Sequence, residues 1–195
     1  MNCICTLYDK NFESFIKYPI QTFNRFANIY GYDTIYFDKV FDPSLHPSWN
    51  KLYAILDCFN RGYQRVLWTD ADSLFIGKKI EFSNDDFITS SDSNGLCLSH
   101  MLVRNTVYNI KLLQTLLFLQ NVKDDSIFGK GLKWEQNTLK ALLLNFNIPY
   151  TTFPRGFVKE PKYDACLDNS HFLHFAVTSI EERNISIPKY YKLYE

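Results

Sequence analysis

Two aspartates one residue apart, Asp70 and Asp72, are the residues of this sequence best suited to carry chemistry. They come at the end of the apolar segment RVLWT (65–69), which predicts a buried strand. Like charges this close repel each other unless a cation lies between or beside them. Ligands of open α/β sheets bind beyond the carboxyl ends of the strands, which is where both carboxylates would lie. The spacing therefore predicts a divalent metal site at this end of the strand.

Two enzyme chemistries use a strand that ends in Asp-x-Asp. In one, the aspartates hold Mg²⁺ or Mn²⁺, which bridges the diphosphate of a nucleotide-sugar and neutralises the departing nucleoside diphosphate. In the other, used by haloacid-dehalogenase-type phosphohydrolases, the first aspartate, here Asp70, is the nucleophile. That class usually has a Thr or Val two residues after the second aspartate, whereas Leu74 stands there in this chain. An ordinary acidic turn after an edge strand is the simplest alternative.

The bulk composition limits what else the protein does. The chain has 195 residues, 46% of them hydrophobic, so it can bury a core, and we expect a single domain over 1–195. Lys and Arg number 21, as do Asp and Glu, so no basic field is available to hold nucleic acid. The N-terminus lacks the basic lead and apolar run of a signal peptide, and no run of roughly 18 apolar residues occurs. We expect no nucleic-acid partner and no transmembrane segment.

The five cysteines are scattered and form no C-x-x-C pair. Cys3 and Cys5 would share one face of a strand. An odd number of unpaired, apolar-flanked cysteines predicts reduced thiols, and we therefore expect a cytoplasmic protein.

The predicted elements alternate along the first half of the chain. Strands are predicted at 3–8, 33–37 and 65–69, and helices at 11–30, interrupted at Pro19 and stopped by Gly31, and from an N-cap at Ser48 to Gly62. Further strands are predicted at 86–90, 96–103, near Tyr150 and at 171–176, with helices at 106–120 and 134–146. This order predicts an α/β protein with a mostly parallel central sheet flanked by helices.

Five short motifs occur in a fixed order around the aspartates: PSWNK (47–51), LWTDADS (67–73), MLVRN (101–105), WEQNTL (134–139) and HFA (174–176). Together they resemble the GT-A-fold glycosyltransferases, and more closely the family of galactosyl-, mannosyl- and xylosyltransferases. The resemblance extends from about 26 to 176. It implies a Rossmann-like GT-A domain. The chain is short for this fold, so we expect a minimal module, either by itself or as part of a longer multi-domain chain.

The resemblance also implies a metal and donor site. Asp70 and Asp72 would contact the ribose and Mn²⁺ (or Mg²⁺), and His174 would be the third metal ligand. His171 is the weaker choice, because residues three apart on a strand point to opposite faces. A basic residue that follows the metal histidine in the family is replaced here by Val177-Thr178-Ser179, so either Arg183 takes that role or the metal alone holds the diphosphate.

Other residues are assigned to the nucleotide-sugar in the same way. Lys51, with Trp49 in the same motif, would approach the nucleotide or its phosphates, while Thr6 and Tyr8, at the end of the first strand, would lie against the base. The simpler alternatives are that Tyr8 packs in the core and that Lys51 is a solvated charge on a helix. Leu98-Ser99-His100 departs from the family's Asn-x-Gly, which leaves the choice of donor open.

Catalysis is assigned to the second half of the chain. Glu135 and Gln136 would face the sugar and the acceptor, although Glu135 could equally be a solvated helix charge. The family retains the anomeric configuration, and the Gln136 amide would stabilise developing positive charge. For an inverting reaction Glu135, or more weakly Asp92, would be the candidate base.

The sequence thus predicts transfer of a sugar from a nucleoside diphosphate-sugar, most simply a UDP-sugar, to a hydroxyl of a glycan or glycoprotein. A phosphohydrolase with Asp70 as nucleophile and a non-catalytic carbohydrate-binding module are the alternatives. The 17% aromatic content would suit stacking against sugars in the second of these.

Overall fold

The computed structural model describes residues 1–77, 82–92, 95–120, 135–154, 156–164, 167, 170–176 and 178–195. The strands are β1 (Asn2–Leu7), β2 (Asp33–Phe37), β3 (Arg65–Thr69), β4 (Ser73–Phe75), β5 (Phe87–Asp92), β6 (Gly95–Arg104), β7 (Thr151–Thr152), β8 (Val158–Lys159) and β9 (Phe172–His174). The α-helices are α1 (Lys17–Tyr30), α2 (Asn50–Asn60), α3 (Val107–Leu119), α4 (Glu135–Asn145) and α5 (Ile180–Tyr194). Short 3₁₀ turns cover Lys10–Phe12 and Pro47–Trp49.

The main sheet has the strand order β2-β1-β3-β6-β5-β7 within the described residues. β6 pairs antiparallel with both of its neighbours, and the other pairs are parallel. All strands but β6 therefore run in one direction, and the predicted α/β class with a mostly parallel sheet flanked by helices is confirmed. As a result, β1, β2 and β3 end at one common edge, where Asp70 begins.

A second, smaller sheet lies beside the first and has the order β4-β9-β8. The antiparallel register of β4 with β9 sets Ser73 opposite His174. The parallel register of β8 with β9 sets Lys159 opposite Leu173. This sheet therefore carries a histidine from the end of the chain back to the loop that follows β3.

Apolar side chains on both faces of the main sheet hold these layers together. One face is covered by α2, α3 and α4, whose residues pack with Val66, Trp68 and Met101. The other face packs against α1 and the second sheet through a cluster that includes Phe26 and Phe172. A third cluster places α5 on the far side of the second sheet. No helix among the described residues is long and apolar enough to cross a membrane.

Most element boundaries lie within two residues of the sequence predictions, with two differences at helix starts. The α1 helix begins at Lys17, so Pro19 falls in its first turn, where a missing N–H removes no helical hydrogen bond. The predicted N-cap at Ser48 is wrong, because the chain first forms a 3₁₀ turn at 47–49. His46 caps that turn by accepting a hydrogen bond from the Ser48 N–H at 3.3 Å.

The aromatic cluster between the sheets predicts a specific stability effect. Phe172 is fully buried and contacts the rings of Phe26, Phe75 and His100, so Phe172→Ala leaves a cavity. We expect it to lower the free energy of unfolding by about 3–5 kcal/mol, measured by urea denaturation. The matched variant Phe146→Ala, at a side chain that is 67% exposed, should change it by less than about 0.5 kcal/mol. Equal losses in both variants would contradict this packing.

Candidate functional site

The loop after β3 is fixed by main-chain hydrogen bonds on both sides. The N–H of Asp70 donates to the carbonyl of Ser99 at 2.8 Å, and the N–H of Ser73 donates to the carbonyl of Asp70 at 3.1 Å. On the other side, the N–H of Phe175 donates to the carbonyl of Asp72 at 3.0 Å. The two aspartates are therefore held in a defined turn between β6 and β9.

An irregularity in β6 creates part of this support. Met101 pairs with Thr89 of β5, but the next pair is Cys97 with Ser90. Residues 98–100 of β6 therefore form a bulge in its pairing with β5. The Ser90 hydroxyl donates to the carbonyl of Cys97 at 2.8 Å and stabilises the bulge. The bulge turns the carbonyls of Leu98 and Ser99 toward the site.

Lys51 on α2 is buried and binds two acidic side chains. Its Nζ lies 3.1 Å from Oδ1 of Asp70 and 3.0 Å from Oε1 of Glu135, and it donates to the Leu98 carbonyl at 3.1 Å. Burial lowers the pKa of Lys51, but the two carboxylates outweigh burial and raise it. Glu135, at the start of α4, is also buried. Neither residue is the solvated helix charge that was the simpler alternative.

Each aspartate has one oxygen occupied by a protein donor. Oδ1 of Asp70 also accepts a hydrogen bond from Nε1 of Trp68 at 2.7 Å. Oδ2 of Asp72 lies 2.9 Å from Nη2 of Arg183 on α5. Arg183 is itself fixed, because its Nε donates to the Phe175 carbonyl at 3.2 Å. Arg183 therefore faces Asp72 directly.

The remaining oxygens face His174. Its Nε2 is 3.8 Å from Oδ2 of Asp70 and 3.5 Å from Oδ1 of Asp72. One ligand atom from each of the three residues lies within 4.8 Å of the others. Adjacent ligands of an octahedral ion stand roughly 3 Å apart, so small adjustments would bring these atoms onto one ion. Two carboxylate oxygens with one imidazole nitrogen suit a divalent metal ion.

Burial and neighbouring charges shift the pKa values of all three residues. Burial raises the pKa of Asp70 despite the nearby Lys51. Burial has the same effect on Asp72, but there the charges of His174 and Arg183 outweigh it and hold the pKa below its usual range. Burial also opposes protonation of His174, yet Asp72 raises its pKa well above the ordinary value. The two aspartates therefore favour positive charge at the place of the His174 ring.

A cavity of about 610 Å³ opens beside His174. It lies between the β5–β6 strands and the segment around β8. Its lining includes hydroxyl, carboxylate, ammonium and aromatic groups, from Ser90, Ser91, Ser99, Thr152, Phe153, Lys159, Glu160, Tyr163 and Asp164. Such a mixture of hydrogen-bonding groups and ring surface suits a sugar.

The other residues assigned by the sequence differ in how accessible their side chains are. Thr6 is fully buried, and Trp49 is 3% exposed within the core, so neither side chain offers a surface to a nucleotide. Tyr8 and Gln136 are half-buried. Asp92 is the last residue of β5, paired through its backbone with Gly95, and its side chain lies outside the described part of the structure.

His100, which stands where the resembled family has a glycine, points into the protein. Its ring is fully buried and packs on Phe172, with ring centroids 4.6 Å apart. Burial holds the pKa of His100 well below its ordinary value, so the ring is neutral. The larger ring therefore fills the layer between the sheets.

Sequence reasoning missed Trp68 as a partner of Asp70 and Glu160 as a neighbour of His174. Nε1 of Trp68 could have been expected near Asp70 from the i, i+2 spacing on one strand face. Glu160 follows a two-residue strand, and no local pattern marks it. Its place depends on the pairing of β8 with β9.

Three solved structures similar to this one are glycosyltransferases. One is a glycosyltransferase involved in the glycosylation of the major capsid of PBCV-1, with a TM-score of 0.77 and 17% identity over 96% of this chain and 99% of the other. Another is GlyE of Streptococcus pneumoniae TIGR4, with a TM-score of 0.62 and 12% identity over 100% of this chain and 65% of GlyE. The apo form of GlyE has a TM-score of 0.60 and 12% identity over 98% of this chain and 63% of GlyE.

No protein-family model and no curated protein sequence matches the chain. The structural likeness confirms the predicted fold, that of a GT-A-type glycosyltransferase. At 12–17% sequence identity, it bears on the fold alone.

The buried pairing of Lys51 predicts a strong dependence of stability on this residue. In Lys51→Met, Asp70 and Glu135 lose their shared cation, so we expect a loss of about 3–5 kcal/mol in the free energy of unfolding. Adding Glu135→Gln to this variant should restore part of the loss, because it removes one of the uncompensated charges. Chemical denaturation of both variants measures this.

Lys111→Met is the control, since Lys111 is exposed on α3. It should change the free energy of unfolding by less than about 0.5 kcal/mol. A Lys51→Met protein as stable as the control would show that the buried ion pairs do not form.

Proposed function

We propose that the protein is a metal-dependent glycosyltransferase that moves a sugar from a nucleoside diphosphate-sugar, most simply a UDP-sugar, to a hydroxyl of a glycan or glycoprotein. The observation that carries the proposal is the convergence of Asp70, Asp72 and His174 at the carboxyl edge of β3, in a fold shared with glycosyltransferases. A carbohydrate-binding module has no need of a site for a diphosphate and its metal.

In this proposal the three residues hold Mn²⁺, which neutralises the diphosphate when bound. The nucleoside lies over the ends of β1 and β2, near Tyr8. Lys51 holds Asp70 and Glu135 in place, and Arg183 holds Asp72. The cavity beside His174 takes the acceptor. The likeness of the fold to solved glycosyltransferases favours this proposal over a phosphohydrolase.

We further propose that transfer proceeds with retention. The bond from the anomeric carbon to the diphosphate oxygen breaks, a bond from that carbon to the acceptor oxygen forms on the same face, and the acceptor proton passes to the departing phosphate oxygen. Glu135 is a poor base for an inverting reaction, because it is buried and bound to Lys51. The half-buried Gln136 amide would stabilise positive charge on the sugar.

Residues 1–195 are proposed to act as one glycosyltransferase domain, which could also be a module of a longer chain. A cytoplasmic setting is supported by the described cysteines, Cys3, Cys5, Cys58 and Cys97, which are buried and free.

Metal-dependent binding of a nucleoside diphosphate tests the central proposal. Calorimetric titration with UDP should show binding in Mn²⁺ and little without it. Asp72→Asn should weaken UDP binding in Mn²⁺ by more than about tenfold, since losing a metal ligand costs more than losing a group that supports one. Asp86→Asn, an exposed aspartate at the opposite edge of the sheet, should bind as the wild type does.

Three other results would contradict the proposal. Hydrolysis of a phosphate ester without diphosphate binding would indicate the phosphohydrolase. Sugar binding that ignores Mn²⁺ and UDP would indicate a carbohydrate-binding module. UDP binding of equal strength with and without Mn²⁺ would show that donor binding does not depend on the metal.

The stereochemistry is tested on the product itself. NMR of freshly formed product should show the anomeric configuration of the donor. Gln136→Ala should lower kcat more than it raises KM for the donor, because its contact strengthens in the transition state. Glu135→Gln should slow transfer only in part. An inverted anomeric centre would overturn both the mechanism and the role given to Gln136.

A further inference from the structure

The ring of His174 faces a second carboxylate on the side away from the aspartates. Its Nδ1 lies 3.7 Å from Oε1 of Glu160, while Nε2 faces Asp70 and Asp72. Sheet pairing dictates this arrangement: Lys159 is opposite Leu173 in parallel strands, so the next residues, Glu160 and His174, come side by side.

We propose that Glu160 is a positioning residue that orients His174 for the metal, an inference that rests on the proposed function. A histidine that ligates a metal through Nε2 usually donates its Nδ1–H to a carboxylate or carbonyl, which fixes the tautomer and the ring plane. The Nδ1 of His174 is buried and forms no hydrogen bond with the described residues. A shift of less than about 1 Å would bring the Glu160 carboxylate within hydrogen-bond distance of it.

The main chain around Glu160 is built to hold that side chain in place. The N–H of Glu160 donates to Oδ2 of Asp164 at 2.7 Å. The N–H groups of Tyr163 and Asp164 both donate to the carbonyl of Glu160, each at 2.9 Å. Glu160 therefore sits at the start of a hydrogen-bonded turn, and its side chain is 20% exposed at the cavity wall.

The position of Glu160 on that wall allows two other roles. It could act as the base of an inverting reaction, or it could contribute only negative charge near the metal. Each role predicts a different response to substitution. Glu160→Ala removes the acceptor oxygen and the charge, whereas Glu160→Gln keeps an acceptor oxygen for Nδ1–H and removes only the charge.

The experiment measures Mn²⁺ affinity by the EPR signal of free Mn²⁺, in the full chain without donor or acceptor. We expect Glu160→Ala to raise the Kd for Mn²⁺ by at least about tenfold, and Glu160→Gln to stay within about threefold of wild type. Glu13→Gln, at an exposed position, is the control for loss of one carboxylate and should not change the Kd. Thermal unfolding checks that each variant is folded.

A second measurement is calorimetric titration with UDP at saturating Mn²⁺. If Glu160 acts through His174, both variants should bind UDP as tightly as the wild-type protein does once the metal site is filled. UDP binding that stays weak in Glu160→Ala at saturating Mn²⁺ would show a role that does not pass through His174 and would overturn the proposal. Equal weakening of Mn²⁺ binding in the Ala and Gln variants would identify a charge effect and also overturn it.

The two proposals fail in different ways. If wild-type protein binds Mn²⁺ and Glu160→Ala binds it equally well, only the role of Glu160 is wrong. If wild-type protein does not bind Mn²⁺, the metal-dependent function is wrong, and the role of Glu160 falls with it.

Discussion

The site depends on the charge balance around two carboxylates on one turn, the half-buried Asp70 and the buried Asp72. Both are stable there because cationic or ionisable groups approach them from three separate elements: Lys51 from α2, Arg183 from α5 and His174 from β9. Removing a partner would leave a buried charge uncompensated, which costs several kcal/mol. The same contacts occupy one oxygen of each aspartate and leave the other facing His174. The contacts that compensate the charges of the aspartates therefore also decide which of their oxygens face His174.

Two sheet features make that arrangement possible. The bulge in β6 supplies carbonyls for Lys51 and for the main chain of Asp70. The second sheet returns the chain so that His174 lies opposite Ser73, directly after the aspartates. Both are held by the aromatic layer around Phe172, so the metal site and the core share their support. Substitutions in that layer should therefore disturb stability and metal binding together.

Prediction from the sequence worked where a pattern is local. The strands over 33–37 and 65–69 and the αL conformation of Gly31 follow from side-chain type and periodicity alone. It left two possibilities open where neighbours decide: the solvated helix charge that was the alternative for Lys51 and Glu135 does not occur, because the two side chains form a buried ion pair. The α5 helix, which contains Pro188 and provides Arg183, was not predicted, and neither were the short strands β4 and β8.

The sequence by itself determined the α/β class, the strand that ends in Asp-x-Asp and the expectation of a cation beside it, because each depends on residues adjacent in the chain. Repulsion between two neighbouring carboxylates required a cation but did not say which. Only the tertiary structure decided that Lys51 and Arg183 take one oxygen of each aspartate, that His174 faces the others, and that Glu160 lies behind His174. The physical reason is that these contacts join residues from 14 positions apart (Glu160 and His174) to 111 positions apart (Asp72 and Arg183). Such residues come together through sheet register and burial rather than through any local preference.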